Sequence, residues 1–307
     1  MSTAWVAVGV RSAAMRRRRL GPPAVRALAA APSLEAALQV LVGGPYGRDV
    51  RADQSLEQAQ RAVVGTLVWN LRVLAGWAPR EGVAVLRALA APIEAMDIDE
   101  LLRRTSGGAV PPPYRLGALA TAWPRLATTA DTPGLRRALA RSPWGDPGSD
   151  DPHQIAVAIR LSLAERISAE VPDARRWAAG AAALLLAREI AFRGGPPSGR
   201  ARLLASRVLG SAAGNAGSLA ELGAALPAAA RWALAGVASA DQLWRAEAAW
   251  WAHVDRDAAG MDRHGGAAAA ALVGTVAQLA VDAWRVRGAL ELAARGGRTG
   301  EDADAVA

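Results

Sequence analysis

Residues 281–297, VDAWRVRGALELAARGG, set the pattern for the chain: an amphipathic helical run, arginine in its last turn, then Gly-Gly. Weaker copies stand at residues 93–108 (IEAMDIDELLRRTSGG) and 181–195 (AAALLLAREIAFRGG). Arginine's charge favours the carbonyl-rich C-terminus of a helix, and glycine adopts the left-handed conformation that closes one. The first glycines of the three pairs, at 107, 194 and 296, lie 87 and 102 residues apart. That interval exceeds a solenoid repeat of about 20–50 residues. The endings predict three related multi-helix units, residues 1–110, 111–198 and 199–307, the last with a disordered tail from about residue 298.

Between these endings the chain is punctuated as helical proteins are. Helical runs cover residues 4–20 and 23–31; Pro32 stops the second, and Ser33 can cap a helix over 34–42. Ser55 with Gln58 forms a capping box before a long helix bearing Val63, Leu67, Leu71 and Leu74. Two shorter helices, 83–91 and 93–104, close the first unit. Pro111, Pro112 and Pro113 form a stiff connector. The second unit runs through 114–127 and a short helix entered by Thr132 and Pro133. Residues 142–151 (SPWGDPGSDD) read as a loop, after which Asp151 and Pro152 open another long helix. Two further capping boxes, Ser218 with Glu221 and Ser239 with Gln242, fall in the third unit. No β-branched segment alternates between turns, so the fold class is all-α.

Composition narrows the chemistry. With no cysteine, disulfides, thiolate metal sites and cysteine nucleophiles are excluded. All 36 basic residues are arginine, which removes Schiff-base chemistry and the phosphate-loop lysine. The net charge of +8 points to anionic partners; a genome rich in G and C, which favours alanine, arginine and glycine, accounts for part of it. Residues 1–10 are apolar without a preceding positive segment, so no secretory signal is read there. The longest uncharged stretch, 265–281, is mostly alanine and glycine and shorter than a span of about 20 strongly apolar residues. A soluble or peripheral cytoplasmic protein is expected.

Several clusters invite a chemical reading. Residues 253–264 (HVDRDAAGMDRH) bring two histidines and three aspartates together, but their spacing suits a solvated loop between helices better than metal ligation. Asp97, Asp99 and Glu100 resemble the aspartate-rich helices that hold magnesium pyrophosphate in isoprenoid synthases, yet Asp97 and Asp99 point to different sides of a helix. Residues 210–217 (GSAAGNAG) look like a phosphate cradle without the strand before it or the lysine after it. Gly-x-Ser-x-Gly is absent. The run Arg16, Arg17, Arg18 and Arg19 can meet phosphates, acidic headgroups or an acidic protein face. The 11 tryptophans do not interleave with the arginines as in a nucleic-acid stacking platform, so most are expected in the core.

Taken together, these stretches resemble the C subunit of bacterial and archaeal V/A-type rotary ATPases, equivalent to subunit d of the eukaryotic V-ATPase. Residues 5–11 (WVAVGVR) are similar to that family's first-helix signature, an aromatic followed by a segment ending Arg-Val-Arg; Trp5 stands for the tyrosine, Gly9 replaces the first arginine, and Arg11 is kept. Residues 38–47 (LQVLVGGPYG) resemble its leucine-rich helix ending in a Tyr-Gly turn, with Tyr46 and Gly47 in place. Leu101, Leu102 and Arg103 match its Leu-Leu-Arg helix, with Asp97 at the usual asparagine; Ala191, Phe192 and Arg193 look like a second copy, and Val286 and Arg287 a third.

The resemblance implies a funnel of three similar helical units with pseudo-threefold symmetry around a central cavity. Such a socket would sit peripherally on the cytoplasmic face of the membrane, link the rotor-shaft subunits to the proteolipid ring, and transmit torque for proton or sodium transport. It would be a monomer within a larger hetero-complex, with no catalytic residue, cofactor, metal or nucleic acid. The interface candidates are Arg11, Arg16, Arg17, Arg18, Arg19, Tyr46, Asp97, Arg103, Arg193 and Arg287. Two rival readings stand beside it: a basic helical module for nucleic acid or scaffolding, and an isoprenoid-type α-helical enzyme.

Overall fold

The computed structural model describes residues 3–105, 107–108, 110–263 and 268–297. It is all-helical, with no strand among the described residues. In order the helices are α1 (Thr3–Arg17), α2 (Gly21–Ala29), α3 (Leu34–Val42), α4 (Leu56–Ala75) and α5 (Arg80–Thr105). They continue as α6 (Trp123–Leu126), α7 (Thr132–Ala140), α8 (Pro152–Glu170), α9 (Arg175–Arg193) and α10 (Gly199–Leu209). The short α11 (Ser211–Gly214), α12 (Leu219–Ala225) and α13 (Ala228–Arg231) precede the long α14 (Leu243–Arg263) and α15 (Ala268–Ala294).

The chain groups into two compact units, Met1–Leu86 with Trp251–Ala307, and Arg87–Trp250. This grouping by contact and the division into thirds by Gly-Gly endings cut the chain differently. In the first unit α15 packs against α1, α2, α3 and α4. Its apolar residues Ala283, Val286, Ala289, Leu290 and Ala293 meet Val25, Leu28, Leu38, Leu41 and Val63 in one core. Leu28, Leu38 and Leu41 are almost wholly buried, each worth about 1.5–3 kcal/mol of transfer free energy. Burial on nearly every side marks α15 as a core helix. It is long and apolar enough to cross a membrane by length and composition, and 72% of its most apolar window is buried inside the protein.

The second unit has two apolar clusters. One joins α8, α9 and α10 with α12 and α13, and is built largely of alanine, which lets the helices approach closely. The other gathers Ile98, Leu101 and Leu102 of α5 with Leu126, Leu135, Leu139 and Trp144. Gly180 is one close approach: a Cβ there would lie 2.8 Å from the Trp232 ring and 3.0 Å from that of Trp250.

The Gly-Gly endings close helices as the sequence predicts. Gly107, Gly194 and Gly296 all take positive φ, at +85°, +80° and +92°. After α5 the N–H of Gly108 donates to the Arg103 carbonyl, and after α15 that of Gly297 donates to the Leu292 carbonyl, the same six-residue closure. The Ser33 cap and the Ser55–Gln58 box are made, and Asp151 caps α8.

Other local expectations are corrected. Residues 83–91 and 93–104 form one helix, α5, that runs through Pro92, since a proline ring removes one hydrogen bond without forbidding helical φ. α7 does begin at Thr132 with Pro133 in its first turn, capped by Asp131. Glu221 reaches back to the N–H of Gly217 instead of that of Ser218, so that box is open on one side. Ser239 makes no cap at all; a single 3-10 turn, Ala240–Gln242, precedes α14. Residues 253–263 are not a loop but the end of α14, where His253 and Asp257 stand one turn apart. Of the tryptophans, Trp144 and Trp177 are buried, while Trp69, Trp77 and Trp244 are exposed.

Candidate functional site

Asp282, 3% exposed in the middle of α15, accepts three hydrogen bonds within the first unit. α2 begins Gly21-Pro22-Pro23, so two of its first residues have no N–H, and Gly21 takes a positive φ of +76° that suits glycine alone. The remaining free amides of that end converge on one carboxylate. Leu20 N–H donates to Asp282 Oδ2 at 3.1 Å, and Gly21 N–H to Oδ1 at 2.9 Å. The carboxylate's negative charge also faces the positive end of the helix dipole. Tyr46 Oη donates to Oδ2 at 2.8 Å from the turn that follows α3. Burial, then the charge and hydrogen bond of Asp282, hold the Tyr46 phenol well above its ordinary value, against a smaller lowering by Arg19.

Asp282 belongs to a polar stripe. Thr275, Gln278, Asp282 and Arg285 fall at helical spacing on one face of α15, and all four are buried. Arg16 donates to Thr275 Oγ1 at 2.6 Å, and Arg285 donates to Asp255 Oδ2 of α14 at 2.8 Å. Arg19 reaches the same Asp255 from 3.7 Å. Sequence reasoning took residues 265–281 as a bland alanine run and missed this stripe. The signal was present in the spacing of the polar residues at 275, 278, 282 and 285.

Beside the stripe lies a cavity of about 410 Å³ whose wall includes Arg11, Arg18, Arg19 and Arg48, with Tyr46 and Asp282 also lining it. Arg11 lies over the Trp77 ring at 3.4 Å from its centre, and Arg48 over the Trp69 ring at 4.6 Å. Arg17 and Arg18 are exposed and have no ion-pair partner among the described residues. The four-arginine run therefore splits: Arg16 and Arg19 hold the fold, Arg17 and Arg18 are exposed, and Arg18 also lines the cavity. Four candidates that the sequence named separately, Arg11, Arg18, Arg19 and Tyr46, thus share one cavity. Arg287 is half-buried on α15, with its Nε lacking a hydrogen-bond partner.

The second unit holds the other candidates. Asp97 is fully buried on α5, and both of its oxygens accept the Tyr114 N–H at 3.1 Å. Asp99 instead faces Arg160 of α8, whose guanidinium donates to it at 2.6 Å. Burial raises the Asp99 carboxyl above its usual range, with Arg160 opposing. The two aspartates do not share a site. Arg103 pairs with Glu100 along α5.

Glu94, one turn before Asp97, was overlooked. It is fully buried and accepts from Thr121 N–H, from Ala122 N–H at 2.8 Å and from Trp144 Nε1 at 2.9 Å. This fastens the irregular chain after the proline connector to α5. Arg193 joins a small cluster around His153, whose Nε2 lies 2.9 Å from the buried Glu189 and whose Nδ1 lies 3.4 Å from Arg193. No group of three metal-ligating side chains occurs among the described residues. His264, from the histidine–aspartate stretch, lies outside the described residues.

No family model matches the chain, and no curated protein matches it. The functional reading therefore rests on the residues themselves.

Proposed function

We propose that the chain is a non-catalytic coupling subunit of a V/A-type rotary ATPase. In this reading it is a socket that links the central rotor shaft to the membrane proteolipid ring and passes torque for ion transport. It is a peripheral protein on the cytoplasmic face of the membrane, its three helical units arranged as a funnel around the axis.

One observation carries the reading. The Tyr-Gly turn that resembles the family is tied through Tyr46 to Asp282 of the last helix, and the same carboxylate accepts from Leu20 and Gly21 at the start of α2. Leu20 and Gly21 stand between α1, which ends at Arg17, and the body of α2; Tyr46 is the tyrosine of the turn, and Asp282 stands four residues before Val286. A torque-bearing part must resist shear between its elements, and buried, directional, charge-assisted hydrogen bonds supply that resistance where apolar contacts alone would slide.

The reading is tested in membrane vesicles from cells lacking the chain. ATP-driven ion pumping should vanish and return with the wild-type gene. Pumping at the wild-type level in the deletion vesicles would overturn it.

A further inference from the structure

The arginine-lined cavity of the first unit is more than the coupling reading requires, and we propose that it binds the phosphate group of a small phosphorylated molecule. Four arginines line it, Arg11, Arg18, Arg19 and Arg48. The one carboxylate in its wall, Asp282, has its oxygens taken by Leu20, Gly21 and Tyr46, while Arg19 is paired with Asp255 and Arg48 with Asp49 at 3.5 Å, so the positive excess of the wall comes from Arg11 and Arg18. Arg18 has no ion-pair partner among the described residues. Arg11 lies over Trp77 and Arg48 over Trp69, contacts that use the ring faces and leave guanidinium N–H groups for an oxyanion. Asn70, also in the wall, has an amide with no hydrogen-bond partner among the described residues and adds a neutral donor.

Charge and size select the ligand. A carboxylate brings one charge and two oxygens, fewer than Arg11, Arg18 and Asn70 together can meet. A phosphate ester or pyrophosphate brings up to two or more charges and at least three acceptor oxygens. The cavity, at about 410 Å³, exceeds what a bare phosphate fills, and its wall includes Leu279, Pro45 and the Trp69 ring. The ligand is therefore a phosphate carried on a larger, partly apolar body. Two sources fit that chemistry: a soluble phosphorylated metabolite, or the headgroup of an anionic phospholipid.

The full-length protein is titrated calorimetrically with pyrophosphate, at low salt and at about 0.5 M salt. In parallel it is floated with vesicles of phosphatidic acid or of phosphatidylcholine. The variants are R18Q and R48Q, with R103Q as the control because its partner Glu100 lies in the other unit. Circular dichroism checks that each is folded. Pyrophosphate should bind at low salt and weaken at least about tenfold in R18Q and in R48Q, but not in R103Q. Arg18-dependent flotation with phosphatidic acid, competed by pyrophosphate, assigns the phosphate to a lipid; pyrophosphate binding without flotation assigns it to a soluble molecule. The proposal is overturned if neither probe binds at low salt, or if R103Q weakens binding as much as R18Q. It is also overturned if an acidic peptide binds while both phosphate probes do not.

Discussion

Asp282→Asn replaces one carboxylate oxygen by an amide N–H₂ at a point where three donors meet. If the amide nitrogen takes the place of Oδ2, the Tyr46 hydroxyl can rotate to accept from it, but the Leu20 N–H, at 3.1 Å, then faces a donor. If it takes the place of Oδ1, the Gly21 N–H at 2.9 Å loses its acceptor instead. Either way one backbone donor at the start of α2 is left unpaired, at about 1–3 kcal/mol, and the surviving bonds weaken from charge-assisted to neutral strength. The expected loss is about 2–4 kcal/mol, read from the urea midpoint by far-ultraviolet circular dichroism. Y46F removes one hydrogen bond and leaves both backbone bonds, so it should cost about 1–2 kcal/mol. The double variant should cost less than the sum of the two, because both act on one network. A D282N protein within about 0.5 kcal/mol of wild type would refute the claim that this carboxylate holds the unit together.

Four other variants test the geometry of the two units. Because burial beside Asp282 raises the Tyr46 phenol, the stability it contributes is present below about pH 10 and is lost as pH rises through its folded value; Y46F should flatten that alkaline decline, and an unchanged slope would show the decline arises elsewhere. In the second unit, E94Q must turn its amide N–H₂ toward one of the donors from Thr121, Ala122 or Trp144 and should cost about 2–3 kcal/mol. D99N should stay within about 1 kcal/mol of wild type, because the burial that raises the Asp99 carboxyl outweighs what Arg160 returns; equal losses in the two variants would contradict that contrast. G274A would gain about 1 kcal/mol of helix propensity, yet its Cβ would lie 2.8 Å from the Ala258 carbonyl oxygen of α14, so a net loss of about 1–2 kcal/mol in thermal unfolding is expected, and a rise in Tm would refute the close approach.

What the sequence made legible was the part governed by local chemistry. Helix ends announced themselves because Ser33, Ser55 and Asp151 cap by bonding to residues three positions on, and the Gly-Gly pairs close helices within one turn. Residues 253–263 read as a loop because charge suggests exposure, yet they are helical. Asp255 is spent on Arg285 and Arg19, and a helix continues beneath it. Pro92 misled for a related reason: the packing of Ala91, Ala95 and Ile98 outweighs one missing hydrogen bond.

Within the candidate site, Arg11, Arg18, Arg19 and Tyr46 could be named one at a time, but not as neighbours. Their meeting depends on α15, more than 200 residues away, and no local pattern encodes that distance. Asp282 was missed although its spacing from Thr275, Gln278 and Arg285 was visible. A single acid in an alanine-rich helix looks like a solvent-facing residue until the proline-started α2 is placed against it.

The most direct test of the coupling assignment is to purify the tagged protein from membranes of its native cell under mild detergent and identify what accompanies it. Co-purification of a proteolipid ring together with rotor-shaft subunits, in fixed proportion and lost from D282N, is the predicted result. Recovery of the folded chain without either would contradict the account.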